Sequence, residues 1–121
     1  MNKFLKPKLN QGEYVFVLID HIDVINEEDI LCSFKEDGKY SLILKKEFAN
    51  KYDMSYDFIA AWISLGLHSS LNSVGLTSLF SQALADNKIS CNVIAGFNYD
   101  HIFVDYDNRE KAFDILKKLK F

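Results

Sequence analysis

Proline is nearly missing from this 121-residue chain: Pro7 stands alone, with only five glycines beside it. That excludes a proline-rich or glycine-rich linker, and no low-complexity stretch or composition shift divides the chain. Cysteine is scarce too. Cys32 and Cys91 lie far apart, neither in a CxxC nor beside His or Cys at metal spacing. A disulfide framework and a cysteine-rich metal site are thereby excluded, and a reduced, cytoplasmic setting is expected. No apolar run approaches the roughly 20 residues that cross a bilayer. The basic start, Met1 to Lys8, has no apolar stretch after it, so a signal peptide is not expected. Positive charge is not in excess: 14 Lys and Arg face 17 Asp and Glu, for a formal charge of −3. A nucleic-acid or anionic-membrane partner is not expected, because phosphates reward a clustered positive surface.

Apolar material is plentiful. Hydrophobic residues make up 49% of the chain and aromatics 14%, which excludes disorder over most of its length. A chain of this size buries about two-thirds of its unfolded surface, enough for a core without staples.

The pattern along the chain divides it into short elements. Tyr14 to Ile19 is a continuous apolar run after Gly12 and reads as a central strand, buried on both faces. Residues 20–29 read as an acidic, solvated loop, with one possible helical turn at Asn26 to Asp29, and His21 within it reads as solvated. Ile30 to Glu36 and Lys39 to Lys45 flank Asp37-Gly38, a strong hairpin signal because a type I′ turn needs positive φ at both central residues. Lys46 to Lys51 reads as a short helix. Phe58 to Leu67 reads as a strand with Ile59, Ala61, Ile63, Leu65 and Leu67 on one side. Trp62 and the other strand aromatics read as core.

Helical periodicity is clearest over Ser73 to Asn87. Leu76, Leu79, Phe80, Ala83 and Leu84 form its stripe, Ser73 can cap its start, and Asn87 can take the left-handed position at its end. Ile89 to Ala95 and His101 to Asp105 read as paired strands. Asp107 with Glu110 reads as a capping box opening a last helix, whose stripe is Ala112, Phe113, Leu116 and Leu119.

From Phe58 onward the order is strand, helix, strand, strand, helix: a ferredoxin-like βαββαβ unit lacking its last strand. The earlier half has three strands and one short helix and cannot complete such a unit alone. The fold class expected is α+β, with two βαββαβ-related halves, residues 1–57 and 58–121, and helices packed on one face of each antiparallel sheet.

One resemblance stands out. His68-Ser69-Ser70-Leu71-Asn72-Ser73-Val74-Gly75-Leu76-Thr77, followed by Ile89-Ser90-Cys91-Asn92-Val93-Ile94-Ala95-Gly96 and Asp100-His101-Ile102-Phe103-Val104, resembles the ACT-domain-like family of small bacterial proteins. It covers roughly residues 60 to 119, and Gly12 to Phe16 and the Asp37-Gly38 hairpin fit it less specifically. The chain departs from the family pattern at Tyr99, where relatives often carry His before the Asp100-His101 pair, so no role transfers to that position. The resemblance implies tandem ACT-like repeats and a ligand site near the strand-to-helix loop, facing the next strand. The residues it implies there are His68, Ser69, Ser70, Val74, Gly75, Leu76, Asn92, Val93, Ile94, Ala95 and His101. It implies a free amino acid or similar zwitterion as the ligand, and a homodimer.

The residue chemistry bears on the same place. A helix N-terminus offers free N–H groups and partial positive charge to a carboxylate, and Ser69, Ser70, Asn72 and Ser73 crowd that turn. Gly75 either lets a ligand approach the backbone or fits a tight packing contact. The serines and Asn72 otherwise serve as caps and turn formers. Asn92, in an apolar strand, must find a partner if it points inward, from a ligand or from a neighbouring strand. His68, Asp100 and His101 make only a weak metal signal, so no metal and no cofactor is expected. His101 is more simply held by Asp100 or a main-chain carbonyl.

Three functional readings remain. The first is a non-catalytic regulatory module that binds an amino acid. The second is an interaction or dimerisation module with no physiological small ligand, since exposed strand edges invite pairing. The third is a small enzyme using Cys91 with His68 or His101 as base; a buried strand cysteine is usually inert, so no enzyme is expected.

Overall fold

The structure, a computed structural model, describes residues 4–66 and 74–120. Its strands are β1 (Pro7–Leu9), β2 (Tyr14–Ile19), β3 (Cys32–Glu36), β4 (Lys39–Lys45), β5 (Ile59–Leu65), β6 (Asn92–Ala95) and β7 (Asp100–Asp105). The helices are α1 (Lys46–Lys51), α2 (Leu76–Asp86) and α3 (Arg109–Lys118). Gly12–Ala60 forms one compact unit, and Met1–Gln11 with Ala61–Phe121 forms the other. The chain changes unit within β5, three residues past the division expected after residue 57.

In the Gly12–Ala60 unit, β2 pairs antiparallel with β4 along its whole length, and β4 pairs antiparallel with β3. Ile59 and Ala60 at the start of β5 pair with Val15 and Tyr14. The strand order β5-β2-β4-β3 is last, first, third, second, as a ferredoxin-like unit requires. Two 3₁₀ turns, Ile22–Val24 and Glu27–Asp29, occupy the place of its first helix. The hairpin forms as expected, with φ of 49° at Asp37 and 77° at Gly38. Val15, Val17, Ile25, Leu42, Leu44 and Ala49 form the core. Strand β2 is central, but its far end is not buried on both faces: Leu18 is 57% exposed.

In the other unit the last strand comes from the start of the chain. Strand β1 pairs antiparallel with β5, Pro7 opposite Leu65 and Leu9 opposite Ile63. The order β1-β5-β7-β6 is again last, first, third, second. Residues 7–9, assigned to the first half on sequence, thus complete the second. Ala61, Ile63 and Leu65 of β5 and Ile102 and Val104 of β7 face Phe80, Leu84, Ala112 and Leu116 of the two helices. The helical stripes read from the sequence are therefore the buried ones, on one face of the sheet.

Two helix ends differ from expectation. Helix α2 begins after Gly75, and Lys88, with φ 61°, takes the left-handed position instead of Asn87. No side-chain cap forms at the start of α3: Asp107 lies inside a preceding 3₁₀ turn, Tyr106–Asn108, and the Asn108 amide donates to Asp105 at 2.8 Å. The extra turn moves the helix start past the residue that would have capped it.

Candidate functional site

The site expected from the sequence is built on the end of β5, the start of α2 and strand β6. Its His68, Ser69 and Ser70 lie outside the described residues, as do Asn72, the Ser73 cap and Leu67. Val74, 98% exposed, and Gly75, also exposed, lead into α2. Gly75 has φ 96°, and a Cβ added there would meet nothing within 4 Å. A tight packing contact is therefore not the reason for glycine; backbone conformation is. As the N-cap, Gly75 brings no side-chain cap, and no acidic residue sits in the first turn. Its carbonyl accepts the first helical bond, from the Leu79 N–H at 3.0 Å. The N–H groups of Leu76, Thr77 and Ser78 precede that bond, in the first turn where the helix itself offers no acceptor. Leu76 itself is half-buried and packs on the core.

Strand β6 pairs with β7: Asn92 opposite Phe103, Val93 opposite Ile102, Ile94 opposite His101, Ala95 opposite Asp100. Val93 packs on the helix-side core. Strand alternation puts Asn92 and Ile94 on the other face. Asn92 is exposed, and its amide donates to the Phe103 carbonyl at 3.3 Å, so a neighbouring strand supplies its partner.

His101 is held differently from either expectation. The Trp62 indole N–H donates to His101 Nδ1 at 3.0 Å, and the Ser64 hydroxyl lies 3.4 Å from the same nitrogen. The Asn10 amide donates to Ser64 Oγ at 2.9 Å and to the Trp62 carbonyl at 3.2 Å. Trp62 is not core; it is half-buried on the sheet face away from the helices, its ring stacked on Phe103 with centroids 6.4 Å apart. Indole can only donate, so Nδ1 accepts and the neutral imidazole carries its proton on Nε2. Burial pushes the His101 pKa below the usual histidine value, with Asp100 opposing. Gly96 leaves room for this ring: a Cβ there would come within 3.2 Å of His101 Nε2. Sequence reasoning missed Trp62, Ser64 and Asn10. Period-2 alternation places Trp62 and Ser64 on one face, and that was the signal that could have found them.

Cys91 is half-buried, and burial pushes its thiol pKa up, against use as a nucleophile. Among the described residues, no group of three or more His, Cys, Asp and Glu could hold a metal ion. No helix there is long and apolar enough to cross a membrane.

Comparison with known proteins gives a consistent picture. The ACT domain family matches residues 2–61 and, in a second form, residues 58–118. The chain is 33% identical to a protein of unknown function from Vibrio cholerae, described as a possible transport protein, at a TM-score of 0.84 over 93% of this chain and 87% of that one. It shares its fold with the ligand-free regulatory subunit of aspartate kinase from Thermus thermophilus: 11% identity, TM-score 0.63, 94% of this chain and 97% of that one. It likewise resembles Escherichia coli aspartokinase III in complex with aspartate and ADP: 9% identity, TM-score 0.62, 91% of this chain and 32% of that one. Among curated proteins, no sequence matches.

Proposed function

The chain belongs to the ACT domain family, and on that premise we propose that it is a non-catalytic regulatory module that binds a free amino acid or a similar zwitterion. ACT domains are in general regulatory small-ligand modules. The observation that carries the finer reading is the start of α2, where an exposed Gly75 at φ 96° precedes the first-turn N–H groups of Leu76, Thr77 and Ser78. Such a terminus favours a carboxylate through its N–H groups and its dipole. The candidate contacts next to it in sequence are His68, Ser69, Ser70, Val74, Gly75 and Leu76; on β6, Val93 and Ala95 share the helix side of the sheet, whereas Asn92, Ile94 and His101 lie on the other face.

Thermal unfolding in the presence of each of the twenty amino acids at millimolar concentration tests this. A ligand at 100 times its Kd adds about 2.7 kcal/mol, which moves Tm by several degrees at this size. One amino acid raising Tm supports the reading; no shift with any of them sinks it.

A second reading, an interaction or homodimerisation module, is favoured by a different observation. Leu18 and Phe34 both lie opposite Ser41 in the ladders, so they share one row on one sheet face, and they are 57% and 69% exposed. Exposed apolar side chains beside the edge strand β3 are what a pairing surface offers. Light scattering distinguishes the two: a mass of 14.0 kDa at micromolar concentration removes the homodimer.

A further inference from the structure

The two 3₁₀ turns between β2 and β3 do more than replace a helix. A cavity of about 470 Å³ opens between them and the first residues of β3. That is within the range of small-molecule sites, about 300–1,000 Å³. Its walls include Ile22, Ile25, Ile30 and Leu31. Ile25 is 7% exposed and Ile22 and Ile30 pack on the unit's core, so part of the floor is apolar and anchored, while Cys32 and Ser33 line the side toward β3. Leu31 remains 38% exposed and leaves that floor open to an incoming group.

The charged residues of the lining are Asp23 and Glu27, and no Lys, Arg or His stands among them. Other carboxylates of this unit have lysine partners: Lys39 pairs with Asp20 at 3.8 Å, Lys46 with Glu13 at 3.3 Å and Lys51 with Asp29 at 3.6 Å. Asp23 and Glu27 have no such partner among the described residues. The turn carrying Glu27 is held in place by Tyr52, whose hydroxyl donates to Asp29 at 2.7 Å and accepts the Asn26 N–H at 3.2 Å.

An apolar floor beside two uncompensated carboxylates selects by charge as well as by shape. Asp23 and Glu27 are exposed, so an anion is disfavoured there through screened repulsion, and a wholly apolar molecule makes no use of their charge. A cation with a short hydrocarbon body satisfies both walls. We propose that this cavity binds a small hydrophobic primary amine without a carboxylate. The ligand class differs from that suited to the α2 terminus, and the proposal stands independently of that site.

Amide proton–nitrogen correlation spectra of the intact protein, titrated at neutral pH and constant ionic strength, test it. The probes are isoamylamine, isoamyl alcohol and isovalerate, which share one hydrocarbon body and differ in charge. Saturating shifts confined to residues 22–33 are expected with isoamylamine, weaker ones with the alcohol and none with isovalerate. The exposed double variant Asp23→Asn, Glu27→Gln is expected to bind isoamylamine about tenfold more weakly, as two partly solvated ion pairs imply. No saturation with isoamylamine at tens of millimolar overturns the proposal. So does an equal response to isovalerate, or undiminished affinity in the double variant.

Discussion

The indole N–H of Trp62 and the Nδ1 atom of His101 meet at 3.0 Å across β5 and β7, a bond that exists only while His101 is neutral. A protonated ring would set N–H against N–H. Burial already lowers the His101 pKa, with Asp100 opposing. The unfolded chain, with an ordinary histidine near 6.5, binds more protons than the folded one between the two values. Stability therefore falls as pH drops through 6.5 and levels off below the folded pKa. His101→Phe should flatten that part of the Tm-against-pH curve, even if it lowers Tm throughout. An unchanged slope would show that His101 does not drive it. Emission from Trp62, the chain's one tryptophan, reports the same titration.

Backbone conformation, not space, explains Gly75. With φ at 96° and no atom within 4 Å of an added Cβ, Gly75→Ala should cost about 1–2 kcal/mol in urea unfolding. The converse holds at Lys88, a non-glycine residue at φ 61°. Lys88→Gly should raise stability by about 0.5 kcal/mol, the strain relieved less the entropy glycine loses. Equal stability of Gly75→Ala and wild type would remove the strain argument at both ends of α2.

Gly96 is the opposite case. A Cβ there would lie 2.8 Å from the Tyr99 carbonyl oxygen and 3.2 Å from His101 Nε2. Gly96→Ala should destabilise by about 1–3 kcal/mol, the usual cost of overpacking. Because the clash reaches His101, it should also shift the pH dependence of Trp62 emission. A loss of stability that leaves that titration untouched would confine the clash to the turn.

Tyr52→Phe removes one hydroxyl that serves two partners, Asp29 and the Asn26 N–H. Chemical unfolding should show a loss of about 1–2 kcal/mol. Amide exchange over residues 22–31 should quicken more than elsewhere, because the hydroxyl ties these turns to the residue after α1. Uniform quickening would mean that Tyr52 supports the unit as a whole.

Asp29 shows where sequence reading stopped. An acidic run from Glu27 to Asp29 reads as a solvated loop, yet the Asp29 side chain is 11% exposed and bonded to Tyr52 and Lys51. Charge pattern alone cannot separate Asp29 from Glu27, its neighbour two positions back, because the difference lies in which residues from elsewhere arrive beside each.

What the sequence determined by itself is local. A continuous apolar run marked β2, side-chain alternation marked β5, Asp37-Gly38 set the hairpin of β3 and β4, and the 3.6-residue stripe through Phe80 and Leu84 identified the buried face of α2. The resemblance carried by residues 68–77 and 89–104 placed the chain among ACT domains. Each of these signals lies within a dozen or so residues, where backbone geometry couples one position to the next. Tertiary structure alone decided the rest. Pro7–Leu9 completes a sheet more than fifty residues away, at Leu65 to Ile63, through backbone pairing that leaves no local signature. Trp62 finds His101 because two strands distant in sequence become neighbours. The cavity beside Asp23 and Glu27 lies between the two 3₁₀ turns and the start of β3, residues that come together only in the folded unit. Contacts of this kind depend on which elements pack together, and no local pattern encodes that.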